Sequence, residues 1–223
     1  MLGLSILGIR SASFREVDEV KVSAVVLAAG AALRFGRPKQ LERWPTSASP
    51  TLVERVVHLA AESGVSEVLV VTGNRAEEVT ALFGDARAST VPVSTIYNPR
   101  WQEGQGFSVA VGIKALAPRS AAALFFLSDQ PRLKLASAQA LVQHFTQAGP
   151  EREIAILIPT YHGRRGNPVL FGRHYFAALA ILEGDVGGRV VVKSHPQAVQ
   201  EVEVDDPAIL EDVDTLEELV ALQ

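Results

Sequence analysis

Residues 27–39 read Leu-Ala-Ala-Gly-Ala-Ala-Leu-Arg-Phe-Gly-Arg-Pro-Lys, an apolar run that breaks into small residues and ends among fixed cations. Leu27, Ala28, Ala29 and Gly30 carry little bulk beyond the first residue, so their backbone is open to close approach. Free N–H groups in such a turn form an anion-binding nest. Arg34 and Lys39 add positive charge at two points of the loop. Residues of these types in this order can hold a phosphate chain. An ordinary strand-to-helix turn with two exposed cations is the competing explanation. The spacing is neither that of a Walker A loop nor that of a Gly-x-Gly-x-x-Gly dinucleotide turn.

Carboxylates follow further along. Asp129 stands in Ser-Asp-Gln-Pro directly after the apolar stretch 121–127. There it suits a divalent ion bridging phosphates, because Mg2+ takes one or two carboxylates together with phosphate oxygens. A helix N-cap would use the same residue. In Asp212-Val213-Asp214-Thr215-Leu216-Glu217-Glu218, Thr215 and Glu218 have the spacing of a capping box and need no function. Asp212 and Asp214 are left without a role, and Asp214 is the favoured second metal ligand beside Asp129. The expected ion is Mg2+ or Mn2+. Ser108 falls in the first turn of an expected helix, where free N–H groups can meet a polar ligand. Thr72 lies at a strand end and joins it as a nucleotide-site candidate.

These residues must be positioned by something. Apolar, β-branched runs at 22–28, 67–72, 93–98, 121–128 and 154–159 read as strands. Helical periodicity fills 51–63, 75–83, 105–116 and 135–148, with Gly64 and Gly84 as stops. Such alternation predicts an α/β fold, a Rossmann-like, mostly parallel sheet with helices on both faces. In open parallel sheets, ligands collect beyond the carboxyl ends of the strands, where the loop after Ala28, Thr72, Asn98 and Asp129 fall. One domain over 21–223 is expected, with a nucleotide-binding half at 21–132 and an acceptor-binding half at 133–223. Residues 1–20 read as an extension without the cationic start or cleavage site of a signal peptide, so a cytoplasmic protein is expected.

Composition narrows the classes. The 223 residues include no Cys, which excludes disulfide frameworks and thiolate chemistry, and the net charge of −4 argues against a nucleic-acid binder. No apolar run is long enough for a membrane helix. The charge is uneven, however. From Glu201 onward there are nine acids and no Lys or Arg, so the preceding chain carries 16 acids against 21 bases. A solvated acidic tail explains this, and so does a phosphate-holding body with an acidic segment beside it.

The loop at 27–39 resembles the signature Leu-Ala-Ala-Gly-x-x-x-Arg-Met-Gly-x-x-Lys of nucleotidyltransferases similar to the molybdenum-cofactor guanylyl and cytidylyl transferases. Phe35 stands where Met is usual. The resemblance continues in order through Asn98, Gly104 and Ser108, through Asp129-Gln130-Pro131, and through Gly166-Asn167-Pro168, where Asn167 replaces a His. It closes with Gly184-Asp185-Val186-Gly187-Gly188-Arg189 and the Asp-x-Asp-Thr segment at 212–215. It implies a fold like that of the nucleotide-diphospho-sugar transferases. It also implies that Arg34, Lys39 and Asp129 are catalytic, that Asn98, Gly104 and Ser108 belong to the segment cradling the nucleotide's base and ribose, and that Gly166, Asn167, Pro168, Asp185 and Arg189 face the acceptor. Ala28-Ala29-Gly30, in place of Leu-Ala-Gly-Gly, points to the cytidylyl branch. The implied reaction is CMP transfer from CTP to the terminal phosphate of molybdopterin, with a molybdoenzyme or cofactor-biosynthesis protein as a candidate partner. Another phosphorylated acceptor, such as a sugar phosphate, and a non-catalytic delivery module remain alternatives. Arg34 and Lys39 are both expected on an exposed loop, and Asp129→Asn is expected to change stability little.

Overall fold

The computed structural model describes residues 20–84 and 89–222, so the expected extension at 1–20 lies, apart from Val20, outside the described residues. The centre of the sheet is β1 (Val22–Ala28), apolar except for Ser23 and almost wholly buried. Its residues alternate between two cores, with Val22, Ala24, Val26 and Ala28 on one face and Val25 on the other. A strand apolar on both faces can only stand inside a covered, parallel arrangement. Accordingly β2 (Glu67–Thr72) and β4 (Ala122–Leu127) flank β1 in parallel, and β3 (Val93–Tyr97) extends the sheet beyond β2.

Past β4 the order continues through β7 (Val169–Gly172), β5 (Ile156–Tyr161) and β6 (Arg164–Arg165), while β8 (Val199–Glu203) pairs with β5. β7 runs antiparallel to both of its neighbours, and β8 is parallel to β5. The first core is covered by α1 (Leu52–Glu62) and α4 (Leu135–Gln147), the second by α3 (Gln105–Ala115), α5 (Phe176–Leu179) and α6 (Arg189–Ser194). The short helices α2 (Ala76–Ala81) and α7 (Leu216–Ala221) complete the set. This is the expected fold class, an α/β sheet that is mostly parallel with helices on both faces.

The expected strands at 22–28 and 67–72 match without change. The fifth is displaced from 154–159 to Ile156–Tyr161, because Gly149-Pro150 opens a tight helical turn over Pro150–Ile154 that keeps Ile154 off the sheet. Both capping boxes form: Thr51 with Glu54 starts α1, and Thr215 with Glu218 starts α7. A third, small core of Phe35, Trp44, Leu52, Val213 and Leu219 ties the loop after β1 to the end of the chain. Among the described residues, no helix is long and apolar enough to cross a membrane.

Candidate active site

The carboxyl end of β1 opens into the loop that begins at Ala29. Asn74 donates its backbone N–H to the Ala29 carbonyl at 3.0 Å, and the buried Gln40 amide reaches the Asn74 carbonyl at 3.2 Å. This fixes the loop from below. A side chain on Gly30 would meet no protein atom within 4 Å, so its backbone borders open space. Two short helical turns, Leu33–Phe35 and Lys39–Leu41, then carry the cations. Phe35 is buried in the small core, which anchors the turn bearing Arg34. Arg34 itself is 76% exposed at its side chain.

Lys39 does not lie exposed as expected. Its Nζ donates to Asp129 Oδ2 at 2.7 Å, to the Val213 carbonyl at 2.8 Å and to Asp214 Oδ1 at 3.2 Å. Arg34 Nη2 takes the other oxygen of Asp214 at 2.8 Å. Burial works against the Lys39 ammonium, but the charges and hydrogen bonds of Asp129 and then Asp214 outweigh it and hold its pKa above the usual lysine value. Asp129 Oδ1 is buried and has no hydrogen-bond partner. The Asp212 carboxyl keeps some solvent contact, yet its pKa is raised, first by desolvation and then by the charges of Asp129 and Asp214. Gln130 Nε2 donates to Asp212 Oδ1 at 3.0 Å and to the Ile209 carbonyl at 3.3 Å, fastening this segment to the turn after β4. Among the described residues, no three His, Asp or Glu side chains form a ready-made metal cage.

A cleft of about 1420 Å3 opens over these groups. Leu27, Ala29, Gly30, Arg34, Lys39, Gly104, Ser108, Asp129 and Asp214 line it, and Gly166, Asn167, Asp185 and Arg189 line it too. Ala28, Thr72, Asn98 and Pro168 do not. Ala28 belongs to the first core, and the buried Thr72 hydroxyl donates to the Ile96 carbonyl at 3.3 Å. Asn98 is buried behind the wall, where its Nδ2 donates to Ser108 Oγ at 3.0 Å and so orients a residue that does face the cleft. Gly104 has a φ of +124°, and a side chain there would collide with the Gly184 carbonyl. That close approach brings the loop carrying Asp185 against the start of α3, with Gly106 N–H donating to Gly184 O at 2.9 Å.

Residues 24–199 match the family model of the MobA-like NTP transferase domain. The chain belongs to the MobA-like NTP transferase family. As a nucleotidyltransferase it is similar over 210 residues, at 33% identity, to the nicotine blue oxidoreductase of Paenarthrobacter nicotinovorans, covering 93% of this chain and 98% of that protein. Among solved structures, Rv0371c from Mycobacterium tuberculosis H37Rv superposes with a TM-score of 0.73 at 26% identity, over 91% of this chain and 98% of that one. The manganese complex of Rv0371c gives a TM-score of 0.70 at 25% identity, over the same 91% and 98%. Among the residues of the nucleotidyltransferase cleft and its supports that sequence reasoning gave no role are Gln40, Trp101, Gln130 and Lys193. Gln130 sat inside a motif already noticed. Lys193 follows Arg189 by one helical turn, a spacing that puts both on one face of α6.

Proposed function

We propose that the protein transfers CMP from CTP to the terminal phosphate of molybdopterin and releases pyrophosphate. One observation supports this above the others: Arg34 and Lys39 meet Asp129 and Asp214 at the carboxyl edge of the sheet, inside a cleft roomy enough for two phosphorylated ligands. In the reaction an oxygen of the acceptor phosphate attacks the α-phosphorus of CTP. The bond from that phosphorus to the bridging oxygen breaks, and pyrophosphate departs with the electron pair. Such a transfer needs alignment and charge neutralisation rather than a protein nucleophile. The open backbone at Gly30 admits the phosphates closely, and Arg34, largely exposed beside Asp214, can meet the charge on the leaving group.

Asp129 and Asp214 are the residues that would hold Mg2+ or Mn2+. Hard carboxylate oxygens suit such an ion, and the unpartnered Oδ1 of Asp129 is a donor waiting for a cation. When bound, the ion would neutralise phosphate charge and polarise the phosphorus–oxygen bonds. Two protein carboxylates do not complete a coordination shell, which fits a site finished by nucleotide phosphates. The manganese bound by Rv0371c supports a divalent ion here. Gly166, Asn167, Asp185 and Arg189, which line the cleft, are proposed to receive the acceptor, with Arg189 facing its phosphate and Pro168 outside the lining.

The test is pyrophosphate release from CTP plus molybdopterin, set against GTP and against a panel of sugar and alcohol phosphates. CTP with molybdopterin is expected to turn over at least tenfold faster than GTP with the same acceptor. Preference for GTP would refute the nucleotide assignment. Turnover only with another phosphate would move the acceptor, and binding of the finished dinucleotide without any turnover would favour a delivery module. The P. nicotinovorans relative is named for a redox reaction. Reduction of a dye by NADH in place of pyrophosphate release would overturn the proposal outright.

A further inference from the structure

We infer that Lys39 occupies the cation position of the nucleotide-free protein, so that Asp129 and Asp214 accept a divalent ion only when a nucleotide draws the lysine away. This rests on the reading that those two carboxylates hold the ion. An ammonium has three N–H donors and no acceptor. Lys39 uses all three, on Asp129 Oδ2, Asp214 Oδ1 and the Val213 carbonyl, with its side chain only 15% exposed. That is a filled site rather than a loose surface contact. Arg34 neutralises the remaining oxygen of Asp214. With Asp212 close by, three carboxylates face two cations, so Lys39 and Arg34 leave a lone divalent ion little net negative charge to attract it.

Such an ion would also meet the ammonium at contact distance, where repulsion between like charges is strong even with partial screening. A triphosphate changes the balance. Its oxygens offer Lys39 and Arg34 new acceptors, and their departure frees Asp129 Oδ2 and both oxygens of Asp214. Asp129 Oδ1 is free already. Nucleotide and ion therefore enter together, and the empty enzyme does not sequester metal. Val213 anchors the arrangement. Its N–H donates to the Asp129 carbonyl at 3.0 Å, so the backbone beneath the carboxylates stays in place when the lysine leaves.

The experiment is a Mn2+ titration of the full-length protein without nucleotide, reading free Mn2+ by electron paramagnetic resonance. Lys39→Met should bind Mn2+ at least tenfold more tightly than the wild type, and adding Asp129→Asn should abolish the gain. Lys39→Gln should show the same tightening and serves as the comparison if Lys39→Met does not fold by circular dichroism. Neutral variants that bind Mn2+ no more tightly than the wild type would overturn the exchange and leave the carboxylate site standing. Neutral variants that bind no Mn2+, or bind it equally well after Asp129→Asn, would overturn the metal assignment and the exchange together.

Discussion

Asp129→Asn keeps the size of the side chain and one acceptor oxygen but withdraws the charge facing Lys39. From sequence the expected stability change is small, since carboxylates gathered at one sheet edge repel each other. The structure reverses that expectation. Lys39 Nζ lies 2.7 Å from Asp129 Oδ2, and the two side chains are only 15% and 18% exposed. A hydrogen bond to a charged partner contributes about 1.5–3 kcal/mol. The Asn oxygen still accepts, and Asp214 and the Val213 carbonyl still hold the ammonium, so part of that contribution survives. The net loss is expected at about 1–2 kcal/mol, which lowers Tm by about 2–8 °C for a chain of this length. Calorimetry at pH 7 without nucleotide or metal measures it. Asp214→Asn, with a longer 3.2 Å contact to Lys39 and a 2.8 Å pair to an Arg34 side chain that is 76% exposed, should lose less. Asp212→Asn should raise Tm, because it removes a carboxylate whose ionisation is opposed by desolvation and by both neighbouring acids. An unchanged or raised Tm for Asp129→Asn would refute the reasoning and show that carboxylate repulsion outweighs the lysine.

The raised pKa of Lys39 places its contribution to stability fully below the unfolded value near 10.5, to be lost as pH climbs through the folded value. Wild-type Tm should therefore fall more steeply above about pH 10.5 than that of Lys39→Met, and parallel melting curves would contradict this. Arg34→Ala should cut turnover by more than about tenfold with Tm nearly unchanged, since the side chain is exposed; wild-type rates would reduce the loop to a structural turn. Val213→Ala strips two carbons from a residue 1% exposed in the small core around Phe35 and Trp44. It should cost about 2 kcal/mol and speed amide exchange over 213–219, and unchanged exchange there would show that this core does not seat the acidic segment.

Much of the fold was legible because β1 and β2 are apolar on both faces and bounded by small or polar residues, which leaves their limits little freedom. The far side of the sheet was harder. β7 is only Val169–Gly172, embedded in a segment read for its ligand-facing residues, and its antiparallel direction cannot come from strand–helix alternation. β8 reads Val-Gln-Glu-Val-Glu, without a strict apolar–polar alternation, and its charged residues masked it at the head of the acidic run. α6 spans six residues, too few for a helical period to emerge. In the site, a strand end gave Asp129, the cationic loop gave Lys39 and the Asp-x-Asp-Thr segment gave Asp214, but their mutual bonding spans 90 and 175 positions and belongs to tertiary structure. The same holds for Asn98. Its type and place near a strand end were visible, whereas its burial behind Ser108 depends on how α3 packs against the sheet.

Transfer of label from CTP marked at its α-phosphorus tests the central claim most directly. With molybdopterin present, the account predicts that the label appears in a molybdopterin-linked dinucleotide, with one pyrophosphate released for each label transferred. Without acceptor, the label should remain in CTP. Release of the label as free CMP, release of the terminal phosphate alone, or no transfer to any phosphorylated acceptor would contradict it.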